Sequence, residues 1–304
     1  MFEHIDILTM RASFAAQDEG SLPPYLGSTL RGILGHCMRE FVCLTPRAKC
    51  YLCSKRGGCS YAQCFCTPGN EGGAVNPFVL HALVHGKTAR KVGDVCTFDI
   101  TLIGKTTSQA VVFMHDLQDM GKRGWGASRI PFQLEQIINP DSKALFYSCG
   151  KTWMRNIQPH SLTSSERTAT AALVRFDTPL RILVKRELCR RLTFEIFVAS
   201  LSRRVSLLSQ AYTDKLVMWE WEEETLLEAA RKVKVSQESW RFQDFRRYSM
   251  NQDGHSLPLP AMEGWVLYEG NLTPFIPLLE AGHILHIGKS STIGFGHYDV
   301  VYDR

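Results

Sequence analysis

The chain has no run of about 18 apolar residues, which excludes a membrane-spanning helix of ordinary length. Its first residues, Met1-Phe2-Glu3-His4-Ile5-Asp6, carry acids and lack the basic-then-apolar pattern of a secretory signal, so a cytoplasmic protein is expected. In that setting the ten cysteines are expected as reduced thiols or metal ligands, not disulfides. A strong charge excess is also missing: 35 Lys and Arg against 30 Asp and Glu give a net charge of +5. Arginine nonetheless outnumbers lysine, 22 to 13, and the guanidinium fork suits phosphate and stacks on bases, which leans toward an acidic partner. At 304 residues, 44% hydrophobic and 21% charged, the chain is long enough for roughly two domains with ordinary cores.

A nucleotide-binding P-loop is absent too. Gly288-Lys289-Ser290 matches the end of that motif, but the glycine required five places earlier is His283, and Gly282 falls one place too early. No long helix follows, only a short apolar segment. What remains is a glycine-rich run, Gly288-Lys289-Ser290-Ser291-Thr292-Ile293-Gly294-Phe295-Gly296, between two apolar segments. A shorter echo occurs at Gly121-Lys122-Arg123-Gly124-Trp125-Gly126. Glycines let backbone N–H groups approach an anion, and Lys, Ser and Thr add charge and donors, so the run suits a phosphate backbone; it also suits a hairpin turn.

Periodicity predicts the same order of elements twice. In the first half, strands are expected near Ile5–Phe14, Phe78–Val84, Val95–Ile103 and Phe132–Ile138. Helices are expected near Ser28–Val42, capped by Ser28 or Thr29, and near Ser108–Met120, ending at Gly121. In the second half, strands are expected near Ala172–Val184, Val235–Tyr248, Gly264–Glu269 and after Gly296. Helices are expected near Arg190–Tyr212, Glu220–Lys232 and Pro274–Ala281. The fold class that follows is α+β: two tandem ferredoxin-like, βαββαβ domains at 1–150 and 171–304, with a cysteine-rich insert at 43–77.

Within that insert Cys50, Cys53, Cys59 and Cys64 follow a C-x2-C-x5-C-x4-C spacing, with Cys43 and Cys66 just outside. Four thiolates this close can wrap one tetrahedral zinc, and the turn-like Lys55-Arg56-Gly57-Gly58 lets the chain fold back. A structural zinc is expected; free or redox-active thiols are the alternative. A catalytic metal is not expected, since no Glu/His pair accompanies the cysteines.

The segment Tyr25 to Arg39 carries the candidate chemistry. Leu30, Ile33, Leu34 and Cys37 form a helical apolar stripe, Gly32 and Gly35 permit close packing, and His36 lies off the stripe near Arg31 and Arg39. A histidine among cations, with Tyr25 nearby, can serve acid–base work on a phosphodiester, although a lone histidine is also a common structural residue.

Taken together, Leu30-Arg31-Gly32-Ile33-Leu34-Gly35-His36, the cysteine cluster and Met120 to Gly126 resemble the CRISPR precursor-RNA processing endoribonucleases of the RAMP superfamily, the Cas6 family in its cysteine-rich-insert subtype. Leu201-Ser202-Arg203-Arg204, the Trp240–Ser249 strand and His286 to Gly296 extend the likeness over nearly the whole chain. The resemblance implies metal-independent cleavage of CRISPR repeat RNA. The ribose 2′-OH attacks the phosphorus, giving 2′,3′-cyclic phosphate and 5′-OH ends. It implies His36 as the catalytic residue, with Tyr25 and Arg39 as helpers; no lysine occurs in this helix, where some members carry a His-Tyr-Lys set. The alternative it leaves is a catalytically silent subunit that holds repeat RNA beside other effector subunits. A monomer or a homodimer fits either reading.

The expected RNA contacts are Arg31, Lys122, Arg123, Arg203, Arg204, Arg241, Arg246 and Arg247, together with Gly288, Lys289, Ser290, Ser291, Gly294 and Gly296. Arg203 and Arg204 belong to a stretch, Arg175–Arg204, with eight basic and three acidic residues. The three arginines at 241, 246 and 247 interleave with Trp240, Phe242, Phe245 and Tyr248, a pattern suited to phosphate contact and base stacking, or to a core. Glu220, Glu222, Glu223 and Glu224 make an acidic patch suited to a protein partner or to water.

Overall fold

The computed structural model describes residues 2–66, 75–82, 86–215, 223–248 and 256–303. The chain folds into two compact units, Asp6–His160, and Met1–Ile5 with Ser161–Arg304. In the first, β1 (Asp6–Ala16), α1 (Gly27–Val42), α2 (Ser60–Phe65), β2 (Phe78–Ala82), β3 (Val95–Ile103), α3 (Ala110–Arg123) and β4 (Phe132–Ile138) follow in order, and β5 (Leu145–Ser148) and β6 (Lys151–Thr152) extend the sheet. The strands lie in the order β2-β3-β1-β4-β5-β6, with β1 antiparallel to both β3 and β4.

Alternation along β1 and β3 sends Phe14 and Phe98 to the helix side, where their rings stack at 5.7 Å. Trp125, fully buried, lies at 4.2 Å from Phe132 and completes that aromatic layer. Burying each such ring contributes about 1.5–3 kcal/mol, so this layer fixes where α1 and α3 sit. The opposite face carries Arg11 paired with Asp99 at 2.8 Å across the β1–β3 register.

Two local expectations are corrected. Neither Ser28 nor Thr29 caps α1: both lie within its first turn, and the N-cap position is Leu26, which makes no side-chain bond. Gly121 does not end α3 but sits within it. A methyl there would lie 2.1 Å from the Phe132 carbonyl, so the glycine serves a close helix–strand approach, and Gly124, at φ 75°, ends the helix.

The second unit contains β7 (Ala171–Leu180), α4 (Phe194–Tyr212), α5 (Glu223–Arg231), β8 (Lys234–Tyr248), β9 (Ser256–Glu269), α6 (Ile276–Leu285) and β10 (Tyr298–Tyr302). Its sheet runs β8-β9-β7-β10, the same arrangement of second, third, first and fourth strand found in the core of the first sheet. Along β7, Ala172, Val174 and Phe176 point inward, and Phe176 meets Phe197 and Tyr298. Two buried hydroxyls are satisfied: Tyr268 Oη donates to Leu192 O at 2.9 Å and Tyr298 Oη to Leu279 O at 2.6 Å.

The strand expected to run to Val184 stops at Leu180, and Leu183–Val184 instead pairs with Glu187–Leu188 in a separate small hairpin. α4 begins at Phe194, not Arg190, because Thr193 Oγ1 accepts from the Ile196 N–H and caps it. Val84, Glu220 and Glu222 lie outside the described residues, whereas Glu223 and Glu224 are exposed on α5. Among the described residues no helix is long and apolar enough to cross a membrane.

Candidate active-site helix and nucleic-acid loops

α1 presents His36 to solvent, while Leu30, Leu34, Cys37 and Met38 anchor the helix in the core. Gly35 permits this, since a methyl there would meet the Phe65 ring of α2 at 3.1 Å; Gly32 faces open space. Partial burial lowers the His36 pKa first, followed by the positive charges of Arg123 and Arg39. Arg39 sits one turn beyond His36, and Arg123 arrives from the last turn of α3, where it pairs with Glu40 of α1. The group is therefore an imidazole held neutral beside two guanidiniums. It can take a proton from a hydroxyl, and the guanidiniums can stabilise a developing phosphorane charge.

Tyr25 precedes Leu26, the N-cap position of α1, and so lies outside the helix that carries His36 and Arg39. Arg31 lies over the Phe65 ring at 5.2 Å, and Arg39 lies 6.0 Å from the Tyr61 ring while donating to Pro46 O. Beside His36 a groove of about 370 Å³ opens between α1 and α3, lined by Cys37, Phe41, His115, Lys122 and Arg123. Phe41 and His115 stack there at 3.8 Å.

Beneath the groove, Asp116 is fully buried, and neither carboxylate oxygen has a hydrogen-bond partner. Burial, then Asp119, pushes its pKa up to about 8. Lys122 pairs with Asp119 at 2.9 Å, so both cations of the first glycine loop are neutralised by carboxylates.

The second glycine loop is built differently. Five of its amides are spent on backbone carbonyls: Lys289 N on Arg181 O, Ile293 N and Phe295 N on Ser290 O, Gly294 N on Ser291 O and Gly296 N on Pro179 O. The amides of Gly288, Ser290 and Ser291 have no protein acceptor among the described residues. Gly294 and Gly296 hold the loop's shape: φ is 96° and 79°, and a methyl at Gly296 would lie 1.9 Å from Ile287 O. Their role is thus conformational, and the donors offered to an anion come from positions 288–291. Lys289 is exposed and has no carboxylate partner among the described residues.

Of the remaining arginines, Arg204 is corrected from a surface contact to a buried one. It is 6% exposed, and its Nε donates to Leu285 O at 2.6 Å, closing the C-terminal end of α6. Arg203 is exposed. Arg241 is exposed but pairs with Glu263 at 2.9 Å; Arg246 is exposed, and the side chain of Arg247 lies outside the described residues. Phe245 meets Phe295 of the glycine loop at 5.4 Å, Trp240 packs near Phe176, and Phe242 stays exposed.

Among the cysteines, Cys50, Cys53 and Cys59 are partly exposed, but Cys64 is fully buried within the first core. Burial pushes the Cys64 thiol up to about 12. The thiol that contacts Cys50 is that of Cys66, and Cys53 Sγ lies 3.2 Å from Thr45 Oγ1. Among the described residues no three of these sulfurs lie within 4.8 Å of one another.

Sequence reasoning missed Arg181, whose Nε and Nη1 are shielded from solvent without an acceptor, and Asp116. Neither has a local signal, because both depend on tertiary burial.

Residues 5–161 match a family model described as the AF_1859_N N-terminal domain, and residues 174–298 match that of the CRISPR-associated endoribonuclease Cas6. Among solved structures, Thermus thermophilus Cas6 is 12% identical with a TM-score of 0.56, covering 98% of this chain and 99% of its own. A Cas6 product complex is 14% identical with a TM-score of 0.59, over 97% and 100% of the two chains. A partial Cas6-RT-Cas1–Cas2 complex is 11% identical with a TM-score of 0.62; it covers 98% of this chain, which spans 46% of that one. At such identities the likeness is one of fold. No curated protein sequence matches the chain.

Proposed function

Because the chain belongs to the CRISPR-associated endoribonuclease Cas6 family, we propose that it binds CRISPR repeat RNA and cleaves it without a metal. The observation that carries this reading is His36, exposed on α1 and kept neutral by partial burial and two arginines. In the proposed reaction a neutral imidazole takes the proton of the ribose 2′-OH as its oxygen attacks the phosphorus. The 5′-oxygen then leaves with a proton, producing 2′,3′-cyclic phosphate and 5′-OH ends. Arg39 and Arg123 stabilise the pentacoordinate charge. The lowered pKa keeps His36 in its basic form at neutral pH, which suits the first proton transfer.

Each unit is read as ferredoxin-like on its strand order. The amides of Gly288, Ser290 and Ser291 and the side chain of Lys289 support a grip on the backbone in the second unit. Other effector subunits are proposed as partners.

A structural zinc is proposed in the insert, held by Cys50, Cys53, Cys59 and Cys66. What supports this set over one with Cys64 is that Cys64 is committed to the core while Cys66 touches Cys50. Metal analysis should find about one zinc per chain, lost in Cys66→Ser and kept in Cys64→Ala.

Repeat RNA incubated briefly with the protein and EDTA tests the activity. Cyclic-phosphate ends are expected; binding without cleavage would make the protein a silent repeat-RNA subunit instead. The exposure to EDTA is kept brief because removing a structural metal can unfold its site.

A further inference from the structure

The small hairpin between β7 and α4 has two residues at its tip, Lys185 and Arg186, joining Leu183–Val184 to Glu187–Leu188. A two-residue hairpin of the type I′ kind needs positive φ at both tip positions, which is why Asn-Gly dominates it. Here the tip is built from two long cationic side chains, at φ 51° and 73°. The left-handed conformation costs such residues on the order of 1 kcal/mol each. Both are exposed, and neither has a carboxylate partner among the described residues. A turn that served only to reverse the chain has no use for this arrangement.

The surroundings of the hairpin share its charge. Arg181, two residues before it, has Nε and Nη1 out of solvent and without an acceptor, and burial lowers its pKa with no nearby acid to offset the cost. A partly buried cation left uncompensated costs the free protein stability and favours an arriving anion. Arg181 is also tied to the second glycine loop, because its carbonyl accepts the Lys289 N–H at 2.7 Å. The hairpin and the loop are therefore fixed to one another through a single residue, with unspent amides at Gly288, Ser290 and Ser291 on the loop side.

We infer that Lys185 and Arg186 form a strained cationic finger which, with Arg181 and Lys289, binds the phosphodiester backbone of RNA adjacent to the glycine loop. The site reads charge and spacing along the strand and makes no base contact. It rests on the RNA-binding reading above and extends it to residues that no motif marks. Leu183–Leu188 has the apolar character of a strand end, and only the turn geometry distinguishes its two cations from ordinary surface residues.

The double substitution Lys185→Asn/Arg186→Gly separates this role from a structural one, because it gives the turn its preferred residues while removing both charges. Melting temperature should rise by about 2–4 °C. Affinity for single-stranded repeat RNA, measured by fluorescence anisotropy at about 0.1 M salt, should weaken on the order of tenfold. The slope of log affinity against log salt should become shallower by about 1.4, the equivalent of two phosphates. Lys185→Arg/Arg186→Lys, which keeps both charges, should bind as wild type. A stabilised variant with unchanged affinity and unchanged salt slope would overturn the finger alone. A wild-type protein that binds no RNA under these conditions would overturn the RNA reading and the finger with it.

Discussion

The two glycine loops occupy the same place in their units, after α3 or α6 and before the fourth strand, yet their charges are settled in opposite ways. At Gly121–Gly126 both cations are matched by carboxylates, Lys122 by Asp119 and Arg123 by Glu40, and the buried group left without a hydrogen bond below is an acid, Asp116. At Gly288–Gly296 Lys289 is unmatched, and the groups with unsatisfied nitrogens nearby are bases, the partly buried Arg181 and the buried Arg204. Sequence similarity between the loops therefore conceals a division of labour. The first loop holds Trp125 in the core and delivers Arg123 toward His36. The second offers amides and positive charge to a polyanion.

The sharpest way to break this comparison is at a glycine. Gly296→Ala places a methyl 1.9 Å from Ile287 O at a positive φ, so a loss of about 4 kcal/mol or more is expected in denaturant unfolding. Gly32→Ala, in open space on α1, should instead stabilise by about 0.5–1 kcal/mol. A tolerated Gly296→Ala would mean that the loop does not hold the described conformation.

That contrast also marks the limit of what the sequence makes legible. Good alternation marks Val95–Ile103, and both it and the strand expected at Phe132–Ile138 are found with those bounds. The doubled element order is legible for the same reason. Gly121 is misread because its purpose, an approach to the Phe132 carbonyl, is tertiary. Cys64 fits a metal spacing as well as Cys66 does, and only packing in the first core separates them. His36 stands out by its place off the apolar stripe. Arg123, thirteen residues past the first apolar turn of α3, has no sequence link to it.

A smaller effect tests the acidic side of the comparison. Asp116 has a folded pKa near 8 against an ordinary carboxylate in the unfolded chain, so the folded state holds the extra proton between about pH 4 and pH 8. Stability should therefore fall as pH rises through that window, by up to about 1.4 kcal/mol per pH unit, with the full penalty present above pH 8. Asp116→Asn should remove this slope, leave stability near pH 4 little changed and raise the melting temperature most at pH 8. A slope that persists in the variant would show that Asp116 is not the group responsible.

The most direct test of the division between chemistry and grip is single-turnover cleavage measured beside equilibrium RNA binding, for His36→Ala and for Lys289→Ala. The expected result is a rate about 10²- to 10⁴-fold lower for His36→Ala with affinity within a few-fold of wild type. Lys289→Ala should weaken affinity while its rate at saturating protein stays near wild type. Cleavage by His36→Ala at the wild-type rate, or rate and affinity falling together in both variants, would contradict the account.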